Sequence, residues 1–496
     1  MTARRVYETI DALVDYAKAH LELDPANEDW ARNQIFAMFG LNSYAPTGAT
    51  GAGHSRPDDL LADFAGALLA DGLIEEEQVE AICDQAMGHL TLIPSQLQAR
   101  FAQVQEADGG DAAMSWLYEY SIRSNYVRRA VLDRNPRFET RGLIVTINKA
   151  KPEFKDPKKA AAGNAVAGGY PRCSICHENE GFAGRAKFTL RTVPLKMGDE
   201  DWFWQFSPYG YLDEHGIAVN TVHTPMHVDA DAFAQLISFI DQYPSLFIGC
   251  NAALARIGGS VLGHDHYQAG GELLPMHKAG CWRQLRDPHF PQADVEVLDW
   301  HNTAVRVVSE DADAVIAICN KIHNAWVSYT NEELGIIAHD AEGIHSATSP
   351  TVIRTERGYE MSIILRSNIT SDEFPAGVFH AHPEFHAVKQ ESIGLIEAQG
   401  LFILPGRLDH ELGLIADAIE AGADLPNELE QFRLVFEETK ELLANTSAPD
   451  RAAIDAAIRD ELGSICERIL HNTAVFKDKD QTVRFLLDLG FEAEAR

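Results

Sequence analysis

The chain predicts an α+β fold in which a mainly antiparallel, β-rich centre lies between helical ends. Three features of its 496 residues carry that expectation. Apolar residues recur at i, i+3 and i+4 over positions 1 to about 130 and again past about 410. Between them, short runs of β-branched and aromatic residues alternate with turn residues. Histidines alternate twice, in "GHDHYQ" and about 115 residues later in "VFHAHPEFH", which suggests a duplicated unit.

Taken in chain order, "DDLLADFAGALLADGLIEEEQVEAICDQAM" places Leu60, Leu61, Phe64, Leu68 and Leu69 on one helical face, and residues 1–132 read as a helical domain. Residues 155 to 170, "KDPKKAAAGNAVAGGY", are a small-residue loop. The strand-like runs are "GLIVTINKA", "FTLRTVPL", "WFWQFSPYGYL", "GIAVNTV" and "SLFIGCNA", followed by "SIILRSN", "AGVFHAH" and "LFILPG". Helical windows at 229 to 242 and 309 to 334 interrupt them. A boundary near 285 divides this centre into 133–285 and 286–408, and 409–496 forms a helical extension with "ELEQFRLVFEETKELL" as its clearest helix.

Composition narrows the function. Hydrophobic residues make up 46% of the chain, enough for a buried core in a chain whose length suits about three domains. The net charge of −32 argues against nucleic acid or an anionic membrane as partner, so an anionic substrate must meet a local basic patch. The first residues, "MTARRVYETIDALVDYAKAHLEL", lack an uninterrupted apolar stretch, and no run approaches membrane-spanning length. A soluble cytoplasmic protein is expected. Seven scattered cysteines make a disulfide framework improbable.

Two motifs carry the chemistry. In "GGSVLGHDHYQAGG", residues 258–271, His264, His266 and Gln268 would share one face of an extended strand. In "YPRCSICHENEGFAGR", Cys173 and Cys176 have the spacing that lets a turn aim two thiolates at one metal ion. A c-type haem site and a redox dithiol also match the string, but the first needs export and the second a strand-to-helix context. Downstream histidines can complete a tetrahedral zinc site: "HTPMH" offers His223 and His227, and Cys173, Cys176, His227 and His264 would form a closed, structural Cys2His2 set. His266 is then left as the chemical histidine, able as a neutral imidazole to attack phosphorus. Gln268 can hydrogen-bond a phosphoryl oxygen but cannot activate water, which favours transfer over hydrolysis.

The order of C-x-x-C, "FWQFSPYGYLDEH" (203–215), "HTPMHVDADAF" (223–233), "GGSVLGHDHYQAGG" and "KQESIGLIEAQGLFILP" (389–405) resembles the hexose-1-phosphate uridylyltransferases of galactose metabolism, above all their longer bacterial class. The resemblance spans about residues 135 to 410, and the helical ends also suit the longer class. It implies two tandem histidine-triad-like units, which would account for the echo at His380 and His382. It also implies uridylyl exchange between UDP-glucose and galactose 1-phosphate through a uridylyl-histidine. By the same resemblance His266 is the nucleophile, Gln268 contacts the nucleotidyl phosphate, Asn251 supports the site, and Cys173, Cys176, His227 and His264 hold zinc, with His223 able to replace His227. Asp265 stands where the better-known class has proline.

On the phosphate side, Lys149, Lys151, Lys158 and Lys159 cluster in "NKAKPEFKDPKK". Of Arg354, Arg357 and Arg366, the last suits the sugar phosphate, and Lys389 and Glu397 fall in the family's C-terminal substrate loop. The expected partners are a UDP-sugar and a hexose 1-phosphate, with a homodimer left open. A histidine-triad nucleotide hydrolase or phosphorylase is the competing enzyme class, and it would normally carry a third histidine in place of Gln268. A non-catalytic, zinc-stabilised nucleotide-binding module is the other alternative.

Overall fold

The helix Ala3–His20 forms because Val6, Ile10, Leu13, Val14 and Ala17 fall on one stripe, and all five are buried. In the computed structural model the described residues are 3–149, 169–185, 187–258, 261–341, 343–446 and 448–493. Further helices, Glu28–Met38, Asp58–Ala70, Val79–Leu90, Pro94–Asp108 and Gly110–Arg123, complete the N-terminal helical region. This region grips the chain just ahead of the central sheet. The buried Asp84 carboxylate accepts the Phe188 N–H at 2.7 Å and the Thr189 hydroxyl at 2.6 Å, and Arg191 donates to the Leu92 carbonyl and the Thr91 hydroxyl, each at 2.7 Å.

Sixteen strands are described: β1 (Arg137–Thr140), β2 (Leu143–Asn148), β3 (Val193–Met197), β4 (Glu200–Phe206), β5 (Gly216–Asn220), β6 (Phe247–Gly249), β7 (His266–Gly270), β8 (Cys281–Arg286), β9 (Asp294–Leu298), β10 (Ala304–Ser309), β11 (His339–Asp340), β12 (Gly343–Ile344), β13 (Ser346–Thr355), β14 (Gly358–Ser367), β15 (Leu401–Pro405) and β16 (Glu492–Ala493). Eleven of them build one sheet in the order β16-β8-β9-β10-β14-β13-β6-β7-β5-β4-β3. Every pairing in that sheet is antiparallel.

The sheet repeats itself. Inward from one edge the order is 3-4-5-7-6, and inward from β8 it is 8-9-10-14-13, so corresponding strands take corresponding places. The halves join where Thr351 of β13 lies opposite Gly249 of β6. Each half inserts one helix before its last two strands in the large sheet, Ala230–Gln242 and Ala312–Trp326, and the two helices pack together on one face. Each opens on the same "DADA" string, with Asp229 or Asp311 capping the N–H groups two and three residues on.

The echo at His380 and His382 does not mark this repeat. Residues 378–386 form turns, because Gly377 takes φ +139° and Pro383 opens a single 3-10 turn, so "AGVFHAH" is not a strand. The strand that occupies the place of β7 in the second half is β14.

Beneath the helices the sheet buries Trp202, Trp204, Tyr267, Ala269, Val305, Val307 and Ile363. Alternation then turns His266 and Gln268 to the opposite face. Gln268, Gly249, Thr351, Ser362, Arg306 and Glu296 form one continuous row across six strands of that face. In the second half the face is closed by ions: Arg306 contacts Glu296 at 2.6 Å and Glu360 at 3.5 Å, and Arg357 also pairs with Glu296. A second layer covers part of the assembly. There β1, β2 and β15 form a small sheet, with β15 parallel to β2, against the helices Leu408–Glu420, Arg433–Leu442 and Arg451–Thr473. Near the C-terminus the chain returns to pair β16 with the edge strand β8.

Candidate active site and metal centre

Strand β7, which carries the candidate nucleophile, runs between β5 and β6, with Val219 opposite His266 and Gly249 opposite Gln268. Asn251 follows β6 by two residues, so the antiparallel register brings it alongside His266. His266 is buried, and its Nδ1 lies 2.8 Å from the carbonyl oxygen of His264. Only a protonated Nδ1 can donate there, which leaves the lone pair on Nε2. Burial lowers the His266 pKa, so the ring is held neutral.

The C-x-x-C loop folds as a knuckle beside this strand. The two sulfurs are 3.3 Å apart, the Cys173 N–H points at the Cys176 sulfur at 3.3 Å, and the His264 Nδ1 lies 3.4 Å and 3.6 Å from the two sulfurs. Side chains missed in the sequence hold the knuckle in place. Asn179 donates to the Cys173 and Cys176 carbonyls at 2.9 Å and 2.8 Å, Gln205 of β4 donates to the Ile175 carbonyl at 2.9 Å, and Lys187 donates to the Ser174 carbonyl at 2.9 Å. A polar residue three positions past a C-x-x-C was the available signal for Asn179.

Cys173, Cys176, His223 and His264 present one ligand atom each within 4.8 Å of one another, a group that could hold a metal ion. Their chemistry fits one. His264 gives its Nε2 proton to the Asn220 carbonyl at 2.7 Å, which frees Nδ1 toward the sulfurs, and the buried His223 Nε2 has no hydrogen-bond partner. The fourth member is therefore His223 and not the expected His227. The His227 ring is half exposed and turns its Nδ1 to Asp265 at 3.6 Å, because the Asp265 N–H is anchored on the Thr224 carbonyl at 2.7 Å. A proline at 265 could not make that bond, so the departure from proline is part of how the loop closes. Burial pushes the Asp265 carboxyl up, and the His227 imidazole partly offsets it.

Three of the expected substrate residues, Arg366, Lys389 and Glu397, come together. Lys389 Nζ contacts Glu397 at 2.7 Å, Glu391 at 3.2 Å and the Ile403 carbonyl at 3.1 Å. Burial opposes the Lys389 charge, but the two glutamates overcome it and raise its pKa. Arg366 is buried and donates through Nη2 to the Ile393 carbonyl at 2.8 Å, while Nε and Nη1 have no partner. Burial lowers its pKa to about 10, with Glu397 acting against that shift. Two unsatisfied guanidinium nitrogens, buried on the sheet face that carries His266, could receive an anion.

Asn251 ties the substrate segment to the strand, its Oδ1 accepting the Leu395 N–H at 2.8 Å. Gly258 makes the close approach possible: it takes φ +97°, and a Cβ there would lie 2.5 Å from the Gly394 Cα. The remaining basic candidates fall elsewhere. Lys149 pairs with Asp409 at 2.5 Å, Arg354 pairs with Glu310 at 2.5 Å, and Arg357 belongs to the ion cluster of the second half. Lys151, Lys158 and Lys159 lie outside the described residues.

Residues 59–225 match the family model described as "Galactose-1-phosphate uridyl transferase, N-terminal domain", a span that holds Cys173, Cys176 and His223. The chain is similar to the galactose-1-phosphate uridylyltransferase of Bifidobacterium longum, 58% identical over 98% of either chain. It is also similar to the protein of that name from Lactococcus lactis, 34% identical over 96% of this chain and 97% of the other. Among solved structures, a yeast Ap4A phosphorylase aligns with 64% of this chain and 88% of its own at 9% identity, with a TM-score of 0.31 that carries no argument.

Proposed function

The chain belongs to the galactose-1-phosphate uridylyltransferase family and is a nucleotidyltransferase that moves a uridylyl group between hexose 1-phosphates, and from that premise we propose a double displacement through uridylyl-His266. In the first half-reaction His266 Nε2 attacks the α-phosphorus of UDP-glucose. A phosphorus–nitrogen bond forms, the bond to the bridging oxygen breaks, and glucose 1-phosphate leaves with the electron pair. In the second, a phosphate oxygen of galactose 1-phosphate attacks the same phosphorus, UDP-galactose forms, and the imidazole is regenerated.

The observation that carries this reading is the His266 Nδ1 contact with the His264 carbonyl, which fixes the tautomer whose Nε2 is nucleophilic and stabilises the ring as it gains positive character. Gln268, on the same face of β7, donates its amide to the oxygens of the transferring phosphoryl group and offers no base for water. Arg366 takes the phosphate of the departing or arriving sugar with its two unpartnered nitrogens, Nε and Nη1. Lys389 and Glu397 brace the 389–397 segment around that sugar, and Asn251 holds the segment to the strand. Lys151 is assigned to the diphosphate.

Zinc is the metal that a two-cysteine, two-histidine set favours, held by Cys173, Cys176, His223 and His264 as a closed structural centre. When bound it would tie the knuckle to the residue two positions before the nucleophile. No helix among the described residues is long and apolar enough to cross a membrane, and a cytoplasmic enzyme acting on a UDP-sugar and a hexose 1-phosphate is the reading offered.

The test is to mix enzyme with UDP-glucose alone, quench, digest and weigh the peptides. A uridylyl adduct on the peptide containing His266, discharged by galactose 1-phosphate, is expected. Active enzyme whose His266 peptide never carries the adduct would overturn the assignment.

A further inference from the structure

Far along the sheet from β7, the turn between β9 and β10, the end of the Arg451–Thr473 helix and the start of the helix Lys479–Asp488 line a cavity of about 320 Å³. That volume is at the small end of metabolite pockets, roughly 300–1,000 Å³. One wall is aromatic: Trp282, on β8, is 41% exposed and offers an open ring face beside Trp300. Another holds Asn302, which is 6% exposed and whose Oδ1 is buried without a partner. A buried acceptor left empty calls for a donor, such as a ligand hydroxyl.

The rim sets two lysines and two histidines among acids, in a chain of net charge −32. Lys477 and Lys479 line it with His301 and His471. The acids facing them are already engaged. Asp299 pairs with Lys479 at 2.5 Å, Glu467 lies 4.0 Å from His301, and Asp478 caps the following helix by accepting the Asp480 N–H at 3.0 Å. Lys477 is held by the carbonyls of His471 and Asn472 at 2.9 Å each.

We propose that this cavity is a second small-molecule site that takes a phosphate monoester of a hydroxylated ring compound, its ring on Trp282, a hydroxyl on Asn302 and its phosphate between Lys477 and Lys479. The cavity is also wired to the substrate segment. Trp300 Nε1 and Asn302 Nδ2 both donate to the Ala398 carbonyl, at 3.0 Å and 2.9 Å. Ala398 ends the short helix Leu395–Ala398, whose Glu397 pairs with Lys389 and whose Leu395 N–H is held by Asn251. A ligand that moves Trp300 or Asn302 thus biases the segment that faces the catalytic strand, which is the physical requirement for coupling two sites.

The test is calorimetric titration of the full chain with glucose 6-phosphate and with AMP, beside inorganic phosphate, a carboxylate sugar and free glucose. Neither ester presents a sugar 1-phosphate to the transfer reaction. At least one ester should bind saturably, should bind equally well to His266→Ala, and should lose about tenfold in affinity in Trp282→Ala and in Lys479→Ala. The bound ester should also change KM or kcat of transfer in the parent and not in those two variants, whose basal turnover stays at the parent value. No saturable binding of either ester at millimolar concentration would overturn the site. So would binding that is lost with His266, binding indifferent to both variants, a carboxylate sugar binding as well, or phosphate alone binding as tightly, an adventitious ion only. Ester binding without any change in KM or kcat would overturn the coupling.

Discussion

At the scale of single residues His266 and Gln268 of β7 carry the most specific consequences. His266→Ala removes the attacking nitrogen and little else, so transfer should fall by at least about 10³-fold while the thermal midpoint stays near that of the parent, measured by initial rates and calorimetry. Gln268→His supplies a group able to activate water, and the ratio of free UMP to UDP-sugar formed should rise. His266 and Gln268 were legible because a strand has a period of two, whereas His264, expected on the same strand face, lies in the bend before β7 and turns to the two sulfurs. The fourth metal position was not legible. His223 and His227 sit four residues apart in one loop, and which of them faces the thiols is decided by two backbone bonds, Met226 N–H to the Leu262 carbonyl at 2.9 Å and Asp265 N–H to the Thr224 carbonyl at 2.7 Å. Such contacts are made across the fold and leave no spacing signal. The assignment is checked by metal analysis: His223→Ala should strip the metal, and His227→Ala should keep it.

At the scale of elements, the knuckle and residues 251–258 are the parts whose local structure matters to the chemistry. Asn179 satisfies two buried carbonyls at once. Asn179→Ala should cost about 1–3 kcal/mol of stability and loosen the metal, read by denaturant unfolding with and without a chelator. Gly258→Ala forces a side chain into a left-handed position against Gly394, so it should lower kcat without loss of overall fold. The strands β2, β4, β5, β14 and β15 follow their β-branched and aromatic runs closely. "AGVFHAH" reads as a strand by composition, but its glycine and the prolines around it turn the chain. Histidine alternation by itself does not distinguish a pleated strand from a coil.

At the scale of the whole molecule, a duplicated β-β-β-α-β-β order gives one sheet with two unequal faces. One half presents His266 and Gln268, and the other fills the corresponding face with Arg306, Glu296 and Glu360. The duplication was legible as an idea, through the histidine echo, but not in its true place: the "DADA" caps at Asp229 and Asp311 mark it, and they carry no chemistry to draw attention. Arg306 is 6% exposed between carboxylates. Arg306→Ala should therefore cost about 3 kcal/mol by leaving those buried charges with only the half-exposed Arg357 to face them, a loss readable in urea unfolding. The central claim is the covalent intermediate, and isotope exchange reaches it most directly. Enzyme incubated with UDP-glucose and labelled glucose 1-phosphate, with galactose 1-phosphate absent, should move label into UDP-glucose at a rate compatible with turnover, because the first half-reaction runs alone in both directions. Active enzyme that shows no such exchange until galactose 1-phosphate is added would mean that both sugars are bound together at transfer, and would contradict the double displacement.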